Sequence, residues 1–391
     1  MKEDIKARLA AVGASVPRLL FPKEGVDLQK FAVVACDQYS AQEEYWAAVR
    51  DFVGGAPSAL QLMMPEAWLG KDSAHESAIP SAMERYLADG TLQDLGEGLM
   101  FLHRTTTTGV RRGLMLLLDL EQYDFTPGSV SMIRATEKTI VERLPPRVAI
   151  RSKAPLEMPH VMVLLDDRGN RLMGAMDQIV NGRKPLYDFP LMMDSGQLKG
   201  WFLQEESVYA AVAEALTLLQ KATPNGMLYA MGDGNHSFAA AKAHWNAIKQ
   251  ELPTAEQERH PARFGLVELV NLYDPALAFE PIHRLLIGVD PAQVQQDLAF
   301  DAENPPSLQQ LQPQLDGWLA RHPSALLEYI HGADDCRRLG QAPDRLAIVW
   351  DRFDKESLFS DVARHGVLCR KSFSMGSAPD KRFYLECRKI R

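Results

Sequence analysis

Three observations predict a mixed α/β fold, an α+β arrangement whose sheet combines parallel and antiparallel strands. Short apolar runs alternate with amphipathic helical stretches along most of the chain, the pattern of helices layered on a sheet. Neighbouring runs such as GLMFLHRTTTT and RRGLMLLLDL are joined too tightly for a helical crossover and form hairpins. VMVLLDD is continuously apolar, as a buried strand is.

Taken in order, FAVVACDQYS (31–40) is the first strand candidate. It runs into AQEEYWAAVRDFV, where Tyr45, Val49 and Phe52 keep helical spacing until Gly54-Gly55 stops it. The hairpin arms that follow flank Gly109-Val110, and the run of threonines suits a strand because β-branched side chains do. A short charged helix over about 137–144 is expected to end at Pro145-Pro146, since a proline disfavours the α conformation before it. Asp167-Arg168-Gly169 closes the VMVLLDD strand, SVYAAVAEALTLLQK forms an amphipathic helix, and Pro224-Asn225-Gly226 turns the chain into MLYAM, a buried strand.

ARFGLVELVNLYD and AFEPIHRLLIGVD read as a further strand pair. The polar, proline-bearing DAENPPSLQQLQPQ then marks a boundary. The expected organisation is a core over 1–290 and a smaller α/β subdomain over 291–391, with a helix near Leu308 to Arg321 and strands at RLAIVW and RFYLEC.

The 391 residues, 46% hydrophobic, suffice for a sizeable core. A formal charge of −8 argues against nucleic acid as the main partner, because phosphate recognition needs clustered Lys and Arg. No stretch approaches the roughly 18 uninterrupted apolar residues of a membrane span. The start lacks the apolar segment of a signal peptide. Cys36, Cys336, Cys369 and Cys387 lie far apart, so neither a zinc nor a disulfide framework is expected and the cytoplasm is the expected compartment. The sequence leaves the oligomeric state open.

The stretch GMLYAMGDGNHSFAAAKAHWN carries the most chemical information. A strand meets a helix whose Phe238, Ala241, Trp245 and Ile248 form one apolar stripe. Between them, Gly232-Asp233-Gly234-Asn235-His236-Ser237 supplies glycines that let backbone approach a ligand. The N-terminal end of a helix favours an anion, phosphate above all. Asn235 or Ser237 would cap the helix, His236 would stand at its mouth, and Asp233 would hold a divalent ion or a ligand hydroxyl. An ordinary strand-to-helix turn that binds nothing fits the spacing equally well. Walker A, the Rossmann fingerprint and the nucleophile elbow are all absent, and His236 and His244 lie about 12 Å apart along a helix, too far to share a metal.

VVACDQYSAQEEYW, HRTTTTGVRRGLMLLLDLEQYDF, IRATEKTIVERLPPRVAIRSKAPLEMPHVMVLLDD, GDGNHSFAAAKAHW and GVLCRKSFSMGSAPDKRFYLECR occur in order along the chain. Through them the chain resembles domain-of-unknown-function family 1015 over nearly its full length. Many members carry Asp-Gly-His-His-Arg where this chain has Asp233 to Ser237, a motif similar to the phosphate-contacting motif of the ParB/sulfiredoxin superfamily and its free-serine kinases. Relatives are also encoded beside serine-biosynthesis enzymes. The resemblance implies a ParB/sulfiredoxin-like core and a nucleotide-dependent phosphotransferase of serine-kinase type, using ATP or ADP with Mg2+. Its substrate would be a serine-like or a phosphorylated metabolite.

The resemblance also implies roles for individual residues. Gly232 to Ser237 would bind phosphate. Glu137, matching an Arg-His-Glu-x-Thr segment, or Asp37 at the end of the first strand, would deprotonate the acceptor, with His236 as a further catalytic candidate. Arg143, Lys371 and Ser372 would steady the transferred group. Ser237 stands where relatives have arginine, so a bidentate phosphate contact is missing there. That departure favours the alternative of a non-catalytic nucleotide or phospho-metabolite sensor. Glu137 and Arg143 also fit a surface helix, Cys36-Asp37 a packed strand end, and Lys371-Ser372 a solvated loop.

Overall fold

The computed structural model describes residues 1–126 and 128–391. The chain forms two compact units, one made of Met1–Ala135, Thr139–Leu277 and Ser377–Arg391, the other of Thr136–Lys138 and Ala278–Gly376. The second unit thus starts before the proline-bearing stretch expected to mark the boundary, and the chain's last segment belongs to the first.

The first unit is built on a ten-stranded mixed sheet. Its order runs Tyr187–Pro190, Gln197–Leu203, Leu99–Thr106, Gly109–Asp119, Phe264–Asn271, Met162–Leu165, Tyr229–Asp233, Ile133–Arg134 and Tyr123–Asp124, with Ala14–Ser15 added beside Gly109–Asp119. Phe264–Asn271 runs parallel to Met162–Leu165 and antiparallel to Gly109–Asp119. The mixed sheet expected from the hairpins and buried runs is therefore present.

Both faces of this sheet are covered, which explains why its strands are continuously apolar. Leu99, Phe101, Leu114, Leu116 and Leu118 enter one core together with the helices Arg171–Val180 and Glu206–Ala222. Their neighbours Met100, Leu102, Met115 and Leu117 enter another, with Trp46, Val49 and Val53 of the helix Glu43–Val53. A strand buried on both sides has no polar face to show in its sequence.

Several local expectations are corrected. The strand over 31–40 shrinks to Val33–Val34, paired with Phe383–Tyr384. The hairpin reverses at Thr107-Thr108, because Thr106 pairs with Gly109. Pro145 and Pro146 open a helix, Leu144–Lys153, instead of ending one. A proline in the first helical turn forfeits only an N–H that has no intrahelical partner, and its fixed φ already suits a helix. Phe264–Asn271 and His283–Ile287 are not partners, since they belong to different units and sheets.

The second unit has a three-stranded antiparallel sheet, Leu326–Ile330, His283–Ile287 and Arg345–Ile348 in order. Leu311, Leu315 and Trp318 of the helix Leu308–Arg321 pack on Leu286, Leu346 and Ile348. No helix among the described residues is long and apolar enough to cross a membrane.

Candidate functional site

The strand Tyr229–Asp233 ends at the glycine corner, and the helix Asn235–Ile248 starts directly after it. Gly234 occupies the Ncap position in the left-handed region, φ 73°, so neither Asn235 nor Ser237 caps the helix. A Cβ on Gly234 would lie 3.0 Å from both Cα and Cγ2 of Val161 and 3.3 Å from Cδ2 of His160. The glycine is required twice over, by its φ and by the His160-Val161 segment pressed against it.

Asp233 is held from two sides. Its Oδ1 accepts the Gly234 N–H at 2.9 Å, and its Oδ2 lies 3.1 Å from Lys381 Nζ. Burial alone would raise its pKa, but the Lys381 ammonium and His160 hold the carboxyl below its usual range. The Lys381 side chain is only 9% exposed. A buried ammonium beside the start of a helix is the cationic feature that Ser237 fails to supply.

His160 joins the corner to a distant segment. Its Nε2 lies 3.3 Å from Ser237 Oγ and its Nδ1 2.6 Å from Tyr384 Oη, while Tyr384 Oη accepts the Cys36 N–H at 3.3 Å. Both ring nitrogens of His160 are thus engaged, one by Ser237 and the other by Tyr384, so the ring is held in place between them.

The remaining corner residues are engaged by Tyr123 and by the segment just after Lys138. Asn235 Oδ1 accepts from Tyr123 Oη and its Nδ2 donates to Thr139 Oγ1, both at 3.1 Å. The Ile140 N–H donates to His236 Nε2 at 3.2 Å, so this ring nitrogen serves the fold. Asp37 is half-buried and accepts from the Gln38 amide at 3.0 Å. Arg143 is exposed on a short 3-10 turn, and Arg147 donates to its carbonyl.

Glu137, Lys371 and Ser372 come together within the second unit. The Ser372 N–H donates to Glu137 Oε1 at 3.0 Å, and the Lys371 N–H also reaches this carboxylate. Arg284 donates to the carbonyls of Arg370 and Lys371 at 2.9 and 3.0 Å, fixing the loop. Burial raises the Glu137 pKa despite these donors and the Lys371 and Arg284 charges.

A cavity of about 200 Å³ lies along the helix Asn235–Ile248 in the first unit, with Ser237, Phe238, Ala240 and Ala241 on its wall. The helix Leu144–Lys153 packs against that helix and contributes Arg147 and Arg151. A helix that ends at Pro145-Pro146 singles out Arg143 alone from the basic stretch between Arg134 and Arg151. With the prolines in the first turn, Arg147 and Arg151 share a face at i, i+4. Lys381 was within the quoted closing segment, but no local signal ties it to Asp233.

Among the described residues, no three His, Cys, Asp or Glu side chains gather as a metal site. With one Asp233 oxygen facing an ammonium and the other an amide, the residues at the corner do not fit a resident divalent ion.

The chain belongs to the DUF1015 family, described as proteins of unknown function, whose model matches residues 20–332. The matched span includes the glycine corner and the cavity-lining helix Leu144–Lys153, and ends before Lys371, Ser372 and Lys381. No curated protein and no solved structure matches the chain.

Proposed function

We propose that this protein is a nucleotide-dependent phosphotransferase acting on a small hydroxyl metabolite of the free-serine kind, on a ParB/sulfiredoxin-like core. The phosphates of ATP or ADP take the Gly232–Ser237 corner. The observation that carries this reading is the buried Lys381 ammonium beside Asp233 at the start of the helix Asn235–Ile248. It places an ammonium, paired with Asp233, at the corner in which Ser237 replaces the family's arginine. Phosphoryl transfer needs mainly positioning and charge, which a glycine corner, a helix N-terminus and a lysine provide together.

In this reaction the acceptor hydroxyl oxygen bonds to the terminal phosphorus of the nucleotide. The bond from that phosphorus to the bridging oxygen breaks, and the electron pair leaves with the shortened nucleotide. The hydroxyl proton passes to a carboxylate, for which Asp37 is the candidate in the first unit. Mg2+ accompanies the nucleotide as part of the substrate.

The alternative of a non-catalytic sensor is favoured by one observation: Asp233, His236 and Glu137 are each engaged by neighbouring groups of the protein. Incubation of the protein with ATP, Mg2+ and serine, followed by 31P NMR, separates the two. Appearance of phosphoserine with ADP supports the enzyme. Nucleotide binding without turnover of serine or related hydroxyl compounds supports the sensor, and absence of nucleotide binding defeats both.

A further inference from the structure

We propose that the cavity beside the helix Asn235–Ile248 is a binding site for a small carboxylic acid with an apolar body. The cavity shares Ser237 with the glycine corner, but the proposal does not rest on the nucleotide reading, and its ligand is recognised by a different set of groups.

Size and lining define the body. Leu62, Met64, Met83, Ile150, Met158 and Phe238 line the cavity of about 200 Å³. An apolar cavity of roughly 150 Å³ accommodates benzene. The space therefore suits a body of benzene size or slightly larger. Methionine walls are flexible and polarizable and fit aliphatic and aromatic bodies alike. Leu69 also lines the cavity and is 39% exposed, so the cavity reaches the surface there.

Charge defines the head. On the cavity wall Arg147 and Glu66 form a pair, one charge against one. Elsewhere on the wall, Glu157 is shared by two guanidiniums, Arg151 Nη2 at 2.5 Å and Arg388 Nε at 2.6 Å. Burial would raise the Glu157 pKa, but these cations and the Leu266 N–H keep it low, so the carboxylate is ionised. One positive charge is left over in this cluster. Arg388 also donates to the Pro261 and Phe264 carbonyls. Arg151, by contrast, has a buried Nε with no hydrogen-bond partner. A buried donor on a cation that has to share its one carboxylate is costly to leave unmet, and a ligand carboxylate meets both needs.

The test is a calorimetric titration of the full chain, without nucleotide, using 3-phenylpropionate and its uncharged isostere 3-phenylpropanamide. Wild-type protein is expected to bind the acid at one site, at least tenfold more tightly than the amide. Arg151→Gln should reduce that preference to near unity, since it leaves Glu157 its Arg388 partner. Ala240→Leu directs a larger side chain into the cavity and should abolish binding of both compounds. Equal affinity for acid and amide, no binding of either, or undiminished binding to Ala240→Leu would each overturn the assignment. Should Arg151→Gln fail to fold, the acid–amide comparison on wild type and the Ala240→Leu titration still decide it.

Discussion

Replacing Gly234 by alanine perturbs the candidate site at its most constrained point. Two costs add. At φ 73° an L residue loses about 1–2 kcal/mol to the contact of its Cβ with the backbone. The new Cβ also lies 3.0 Å from the Val161 Cα, a backbone atom that cannot swing aside, and such overpacking costs about 1–3 kcal/mol. The expected loss is thus about 2–5 kcal/mol. Gly182→Ala is the matched control, because Gly182 has φ 74° but nothing within 4 Å of its Cβ, so only the conformational cost remains. Equilibrium urea unfolding of the two variants, with the same transition followed by circular dichroism, should show Gly234→Ala the more destabilised by about 1 kcal/mol or more. Equal losses would refute the close approach of Val161 to the corner.

Acid titration tests the second unit. His283 is buried, its Nδ1 accepts from the Trp350 N–H, and burial together with Arg337 and Arg284 pushes its pKa down to about 4. The unfolded chain binds that proton near pH 6.5 while the folded chain does not, so stability present above pH 6.5 is lost as pH falls towards 4. The loss is on the order of 2 kcal/mol after allowance for screening, and His283→Gln should remove that slope from the urea midpoint measured against pH. Glu137→Gln keeps an acceptor for Ser372 but removes a buried charge whose protonation the fold favours. The second unit should therefore be no less stable at pH 7, and marked destabilisation in the same assay would show that the ionised carboxylate is needed. Phe238→Ala opens the core at a fully buried ring and should cost about 3–5 kcal/mol in the first unit's unfolding, where a loss below 1 kcal/mol would contradict its packing.

Local patterns carried the elements whose causes are local. The helix Glu43–Val53 stops at Gly54, which takes φ 56°, and Leu308–Arg321 follows its apolar spacing throughout. The glycine corner was legible for the same reason, since strand, turn and helix are contiguous. Order in the sheet was not legible, because Phe264–Asn271 finds its parallel partner Met162–Leu165 only through the packing of the whole unit. Lys381 and Tyr384 reach the corner by that same long-range route. Arg147 and Arg151 were within reach: the two prolines signal a helix start as readily as an end, and choosing a start brings both arginines onto one face.

The account's central claim is that the Asp233–Ser237 corner and Lys381 form an anion site. Calorimetric titration of ATP·Mg2+ into wild-type protein and Lys381→Gln tests it most directly. The account predicts one site in the wild type and at least tenfold weaker binding in the variant, with the fold retained by circular dichroism. Absence of nucleotide binding, or equal affinity in both proteins, would contradict it.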